Sequence, residues 1–295
     1  MALYIGNQKV APTMLPSSGG VSIPLEVSSN GELRKPTSSF TLSLPSSVTG
    51  LGSYVLSYAF RDCTGLTSID LSSLTTISGN SAMNYAFYGC SGLTSVDLRS
   101  LITVSGGLTM SFAFQNCTGL TSVDLSSLTT ISGGSAMSSA FMSCSDLTSV
   151  DLSNLTTVSG SSAMQSAFYG CSGLTSVDLS SLTTVSGFNA MDDAFSQCSG
   201  LTSVDLSSLT AVSAGSAMSS AFSGCTKLKT LSFPALTSNS FGSNTNQFNN
   251  MLSGVTGCTV HFPSNLQSVI GSWTSVTGGF GGTNTTVLFD LPATT

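Results

Sequence analysis

Apolar side chains recur along this chain on a fixed beat. In LTSIDLSSLTTI, residues Leu66, Ile69, Leu71, Leu74 and Ile77 are apolar, while Ser68 and Asp70 alternate with Ile69 and Leu71. Alternation at period two marks a half-buried strand. A Ser-Gly turn follows, and SAMNYAFYG then sets Met83, Ala86 and Phe87 at the spacing of a short helical turn. The whole pattern returns every 27 residues without insertion, as Leu93, Val96, Leu98, then Leu120, Val123, Leu125, and on to Leu201, Val204, Leu206. Cys63, Cys90, Cys117, Cys144, Cys171, Cys198 and Cys225 keep the same time. A period of this size means a solenoid, a propeller or an array.

One unit is too small to bury its own apolar side, so stacking must complete the core. Stacked strands lie about 4.8 Å apart, which turns each repeat position into a ladder of identical side chains. The predicted fold is a repeat solenoid of about eight coils with a parallel β-sheet face. A small β-rich cap is expected at its N-terminus and an α/β cap at its C-terminus.

The pattern A-F-x-x-C-x-x-L-x-x-V-x-L from Ala86 to Leu98 resembles the BspA-like leucine-rich repeats of bacterial and protozoan surface proteins. The lead-in coil LPSSVTGLGSYVLSYAFRDC, Leu44 to Cys63, is closer still to that family's usual repeat. The segment TVHFPSNLQSVIGSW, Thr259 to Trp273, is similar to the strand-Pro-helix unit that ends such arrays. The likeness covers Leu42 to Trp273. It implies a leucine-rich-repeat-like, non-catalytic binding protein. The copies here exceed the family's usual length, so its curvature does not carry over.

Three regions follow: an N-terminal β-cap or attachment module over 1–38, the solenoid over 39–236, and a capping region over 237–295. Met1 to Val10 has neither the basic start nor the apolar core of a secretory signal. Tyr4 to Pro12 (YIGNQKVAP) looks similar to the start of phage and prophage tail-associated proteins. Val21–Val27 and Glu32–Lys35 flank Asn30-Gly31, a strong hairpin signal, with Pro24 holding the first strand at an edge. TSNSFGSNTNQFNN, 237 to 250, reads as an inserted loop. Asn265 to Trp273 reads as a short helix with Ser264 as N-cap, and Val287 to Leu291 as a last strand. Cys258 falls out of register with the other cysteines.

Composition sharpens this picture. Charged residues are only 7% of 295, against a usual share of about 25%, and Ser, Thr and Gly fill the gap. Between Cys63 and Gly224 there are nine acids and one base, Arg99, and the chain's net charge is −6. Phosphate binding needs a basic stripe, so no nucleic-acid partner is expected. No apolar run approaches the ~18 residues that span a membrane, and no membrane insertion is expected.

Few residues invite chemistry. The cysteine row reads as buried free thiols packing as small hydrophobes, with disulfides or metal binding as the alternatives. Neighbouring Cα atoms in a ladder fall within disulfide range, but side chains pointing one way cannot all pair. A straight row also does not converge on a metal. Asp70, Asp97, Asp124, Asp151, Asp178 and Asp205 form an outward carboxylate row. Their mutual repulsion is expected to raise their pKa values, relieved by row hydroxyls such as Ser68, Ser95 and Ser122 and, on one rung, by Arg99. This row is either a solvated face or a weak candidate cation site. Paired carboxylates also suit glycoside hydrolysis, but no rung singles out a pair. His261 has no acid or nucleophile in its repeat context, and the sequence holds no P-loop, G-x-S-x-G or H-E-x-x-H motif. Neither catalysis nor a cofactor is expected.

The copies drift mainly where the coil closes. Asn84-Tyr85 becomes Ser111-Phe112, Ser138-Ser139, Gln165-Ser166, Asp192-Asp193 and Ser219-Ser220, and Tyr88 becomes Gln115, Met142, Tyr169, Ser196 and Ser223. Drift means either mere exposure or a recognition surface on a rigid scaffold. The candidate partner-binding residues are Tyr85, Tyr88, Phe112, Gln115, Met142, Gln165, Tyr169, Asp192, Asp193 and Arg99. The expected partner is a protein or glycan on a host cell, met by an adhesin of a phage or prophage-derived particle to which the N-terminal region attaches. A bacterial surface adhesin binding host matrix or other cells, and a purely structural solenoid, are the alternatives. Thr75-Thr76, Thr129-Thr130 and Thr156-Thr157 suggest an ice-binding array that Ile102 and Ala211 interrupt.

Overall fold

In a computed structural model, the protein is described over residues 39–44, 46–241, 246–270 and 280–294, with the backbone of four short strands ahead of them. It is a parallel β-solenoid of about 9 turns, one more than the eight or so coils expected. Each coil has three faces. The main face is a seven-stranded parallel sheet running from Phe40–Ser43 and Leu66–Asp70 through Ser95–Asp97 to Ser203–Asp205. The second face is another seven-stranded parallel sheet, from Gly50–Leu51 and Thr76–Ile77 to Ala211–Val212. Pairing is in register at the repeat period, with Val96 beside Val123 and Asp97 beside Asp124.

The apolar rows point inward as their period requires. Leu93, Leu98, Leu101, Val104, Met110 and Phe114 are fully buried, as are their counterparts in neighbouring coils. Full burial of such a side chain is worth about 1.5–3 kcal/mol, but one coil covers only one side of it. Phe60, Phe87, Phe114, Phe141, Phe168, Phe195 and Phe222 form one continuous stack. Their ring centroids are 5.1–5.8 Å apart and their planes within 10°, a geometry the ring quadrupoles favour.

The third face corrects the sequence reading. The segment holding Met83, Ala86 and Phe87 is not helical but a chain of β-turns. Ala82, Asn84, Ala86 and Tyr88 donate their N–H groups three residues back, to Gly79, Ser81, Met83 and Tyr85. The intervening Ser81, Met83, Tyr85 and Phe87 donate instead to the next coil, at Gly107, Thr109, Ser111 and Ala113. Half of the amides are therefore unavailable to an i→i−4 ladder. Every fourth residue takes a positive φ, as at Ser81, Tyr85 and Gly89.

The ends differ from the expectations in detail. Glu26–Val27 pairs antiparallel with Leu33–Arg34, while Pro24, Asn30 and Gly31 lie outside the described residues. Part of the expected loop at 237–250 is another rung of the turn face. Met218, Ser220 and Phe222 donate to Gln247, Asn249 and Met251, and Phe248 is buried. Strands Thr230–Ser232, Thr259–Pro263 and Thr286–Leu291 continue the stack, and Cys258 sits one residue before the second of them. Ser264 is no N-cap: it opens a 3-10 turn, Ser264–Leu266, behind Pro263, and helix Gln267–Ile270 follows. Trp273 lies outside the described residues.

Candidate functional site

The carboxylate row is where the repeat predicts it, but its chemistry differs. Asp70, Asp124 and Asp151 each accept the backbone N–H and hydroxyl of the serine two residues on, Ser72, Ser126 and Ser153. Asp178 and Asp205 accept the N–H groups of Ser180 and Ser207. The row thus shapes the corner after each main-face strand as a series of side-chain turns. These donors hold Asp70, Asp124 and Asp178 below the usual carboxylate range, led by the serine hydroxyls. The expected upward shift from repulsion is overturned there, because a hydrogen bond to the charged form outweighs like charges in water. The donors are also not the Ser68 row. Arg99 pairs with Asp97, its Nε 3.0 Å from Oδ1. The troughs along this face are shallow; one of about 490 Å³ is lined by Asp178, Asp205, Ser207 and Ser232.

All eight cysteines are buried and none is in a disulfide. Each thiol from Cys90 to Cys225 donates to the carbonyl of a phenylalanine 30 residues earlier, Cys144 Sγ to Phe114 O at 3.2 Å among them. Burial pushes Cys144 and Cys225 up to about 12. No group of three or more metal-ligating side chains converges among the described residues.

His261 does have an acid, contrary to the sequence reading: its Nδ1 lies 2.9 Å from Asp290 Oδ1, two rungs of the last sheet meeting. Its register neighbour Ser232 makes no hydrogen bond with it. No nucleophile–base pair forms there.

The turn face is where the coils cease to be equivalent. Tyr58, Tyr85 and Phe112 stand on one row and stack, with centroids 5.0 and 4.6 Å apart and planes within 12°. Tyr88 tilts against Tyr85 at 5.6 Å. The Arg61 guanidinium lies 4.8 Å from the Tyr88 ring and 5.6 Å from Tyr85, within cation–π range, and pairs with Asp62 at 3.5 Å. Asn116 donates to the Tyr88 hydroxyl. Burial pushes the Tyr85 phenol up. Tyr54 and Leu108, on an adjoining row, are 60% and 46% exposed.

The three aromatics sit on a row of positive φ that runs through every coil. Their φ values are 57°, 53° and 57°, a region costing a residue with a Cβ roughly 1–2 kcal/mol. Inter-coil bonds enforce it: Tyr58, Tyr85 and Phe112 donate to Asn84, Ser111 and Ser138 at 2.9–3.0 Å. Later coils place Ser139, Ser166, Asp193 and Ser220 in this row at the same φ. The scaffold therefore does not require an aromatic there.

Of the candidate residues, Tyr85, Tyr88 and Phe112 come together. Gln115, Met142 and Tyr169 continue the Tyr88 row, with Gln115 Nε2 3.5 Å from Met142 Sδ. Gln165 donates to Asp192 beside Asp193, three coils beyond Phe112. Arg99 does not join them; it sits at the main-face corner. The sequence reading missed Tyr58, Arg61, Tyr54 and Leu108. The signal was available, since Tyr58 and Arg61 stand 27 residues before Tyr85 and Tyr88.

The profile of the BspA type leucine-rich repeat region matches residues 35–163 and 135–269, in six copies. No curated protein sequence matches the chain. Solved structures with a similar fold include the TLR13–ssRNA13 complex, at 19% identity over 76% of this chain and 28% of that one, TM-score 0.43. An internalin from Listeria monocytogenes matches at 15% identity over 78% of this chain and 58% of its own, TM-score 0.32. A leucine-rich cell surface protein from Faecalibacterium prausnitzii matches at 15% over 84% and 90%, TM-score 0.23. The chain spans less than two thirds of the length of the first two.

Proposed function

Because the chain belongs to the BspA-type leucine-rich repeat family, we propose that it is a non-catalytic binding protein whose contact surface is the aromatic end of the turn face. One observation carries this reading: three successive coils stack Tyr58, Tyr85 and Phe112 on a row where later coils use serine or aspartate. Tyrosine and arginine dominate binding hot spots, and the scaffold itself does not ask for rings at this row.

The finer reading is a receptor-binding component of a phage or prophage-derived particle, recognising a host surface protein or glycan. The similarity of Tyr4 to Pro12 to tail-associated proteins and the hydroxyl-rich, low-charge surface support it. A cell-surface adhesin is the second reading, favoured by the family itself. In both, nucleic acid is a poor ligand, since phosphates would meet nine carboxylates across the repeats. No helix among the described residues is long and apolar enough to cross a membrane.

Gold-labelled antibody against the repeats, viewed by electron microscopy, separates the two: label on particle tails supports the first, label on intact cells the second. Adherence of the purified chain to host cells tests the surface. Tyr85→Ser should lower adherence about tenfold or more; undiminished adherence would remove the turn face from the proposal.

A further inference from the structure

The turn face carries a second block that the aromatic stack does not use. Asp192 and Asp193 are half-buried on the coil three rungs past Phe112, Asp193 in the same outward row as Phe112. Their hydrogen bonds come from neutral groups, Gln165 Nε2 at 3.2 Å to Asp192, with Ser219 and Ser196 close by. No cation pairs with either carboxylate among the described residues. Burial pushes both groups up, and Asp193 further through the charge of Asp192. Between the blocks the row holds only Ser139 and Ser166. At about 4.8 Å per rung the blocks lie about 14 Å apart, the reach of about four residues of extended chain.

We propose that the turn face binds an extended, basic segment of a partner protein, with an aromatic or arginine side chain on the Phe112 end and a lysine or arginine at Asp192–Asp193. This rests on the reading of the turn face as the contact surface and names the chemistry of its partner. Charge complementarity chooses a protein over a neutral glycan. The aromatic block is already neutral, because Arg61 is paired with Asp62, whereas the far block presents two adjacent carboxylates without a counter-ion. The stack also favours a planar group over a sugar: Tyr58, Tyr85 and Phe112 cover one another's faces, and the ladder ends at Phe112 because Ser139 brings no ring. A planar side chain on that rung would extend the stack.

The repeats supply conservative variants. Phe112→Ser and Asp193→Ser each install the residue that other coils carry in that row, Ser139 and Ser220, so the fold is kept; unchanged circular dichroism checks it. The probe is a dye-labelled hexapeptide with tryptophan at one end and two arginines at the other, titrated into the full chain and followed by anisotropy. The expected result is binding about tenfold tighter than for the same peptide ending in two glutamates, weakened by salt. Phe112→Ser and Asp193→Ser should each weaken it about fivefold or more.

Equal binding of the acid-tailed peptide, no effect of either variant, or displacement by maltohexaose as readily as by unlabelled peptide would overturn the proposal. If no peptide binds while Tyr85→Ser still abolishes adherence to cells, the peptide chemistry falls and the turn face stands as the contact surface.

Discussion

The thiol of Cys117 donates to the carbonyl oxygen of Phe87 at 3.2 Å, across the boundary between two coils. The same oxygen accepts the N–H of Cys90, also at 3.2 Å. One carbonyl thus closes a turn in its own coil and receives a side chain from the next. Sulfur suits the site because it fills apolar space and still offers a weak donor.

The buried thiols set a limit in alkali. Burial lifts the thiols of Cys117, Cys144, Cys171, Cys198, Cys225 and Cys258 above the ordinary 9.0, with Cys144 and Cys225 at about 12. The protonated form is favoured in the folded chain, so this contribution is complete below pH 9 and is lost as pH rises toward 12. Denaturant midpoints should fall across that window in the parent and fall less in Cys144→Ala. Native protein should react slowly with a thiol reagent at pH 8; fast labelling of all eight cysteines would contradict burial.

Phe168 is stacked between Phe141 and Phe195 at 5.3 Å on each side. Phe168→Ala opens a void in the middle of the column and should cost about 3–5 kcal/mol. Amide exchange is expected to quicken first in the coils flanking residue 168, since each coil is held only by its neighbours. Uniform loss of protection along the chain would contradict that local coupling.

Gly160 packs against the backbone of the previous coil, and a Cβ there would collide with the Gly133 carbonyl. Backbone cannot step aside as a side chain can. Gly160→Ala should therefore cost about 1–3 kcal/mol or more through overpacking, read as a lowered melting temperature. Ala214, which takes the corresponding place in a later coil, should accept Ala214→Gly at about 1 kcal/mol or less.

Two kinds of aspartate should respond to acid with opposite signs. Asp124 is lowered from 3.8 by Ser126; its contribution is present above pH 3.8 and is lost as pH falls through the folded value. Asp193 is raised from 3.8 by burial; its contribution is present below pH 3.8 and is lost as pH rises through the folded value. Asp193→Ser should accordingly raise stability at pH 7, with the gain fading toward pH 3. In Ser126→Ala the Asp124 carboxyl, followed by NMR, should titrate closer to 3.8. An unmoved titration would assign the shift to another group.

Much of this was legible in the sequence, for a physical reason. A 27-residue period with fixed apolar positions leaves one way to bury Leu93, Val96 and Leu98, namely to stack them on copies of themselves. Inward rows, buried cysteines and the outward aspartate row all follow from that register. The error at Met83 to Phe87 came from spacing, because buried residues at intervals of three and four fit a helix and a chain of turns equally well. Only the neighbouring coil, taking every second amide, decides between them.

The candidate site divides the same way. Sequence determined that the coil-closing segment varies and that Tyr85, Tyr88 and Phe112 share it. Tertiary structure brought Tyr58 and Arg61 beside them, gave the aromatics their strained φ, and paired Arg99 with Asp97 away from them. It also lowered carboxylates that a bare row of charges would have raised. Rows are written in the repeat, because identical coils must stack in register. Which side chains meet across faces, corners and chain ends depends on turn geometry and hydrogen bonds that no single coil encodes.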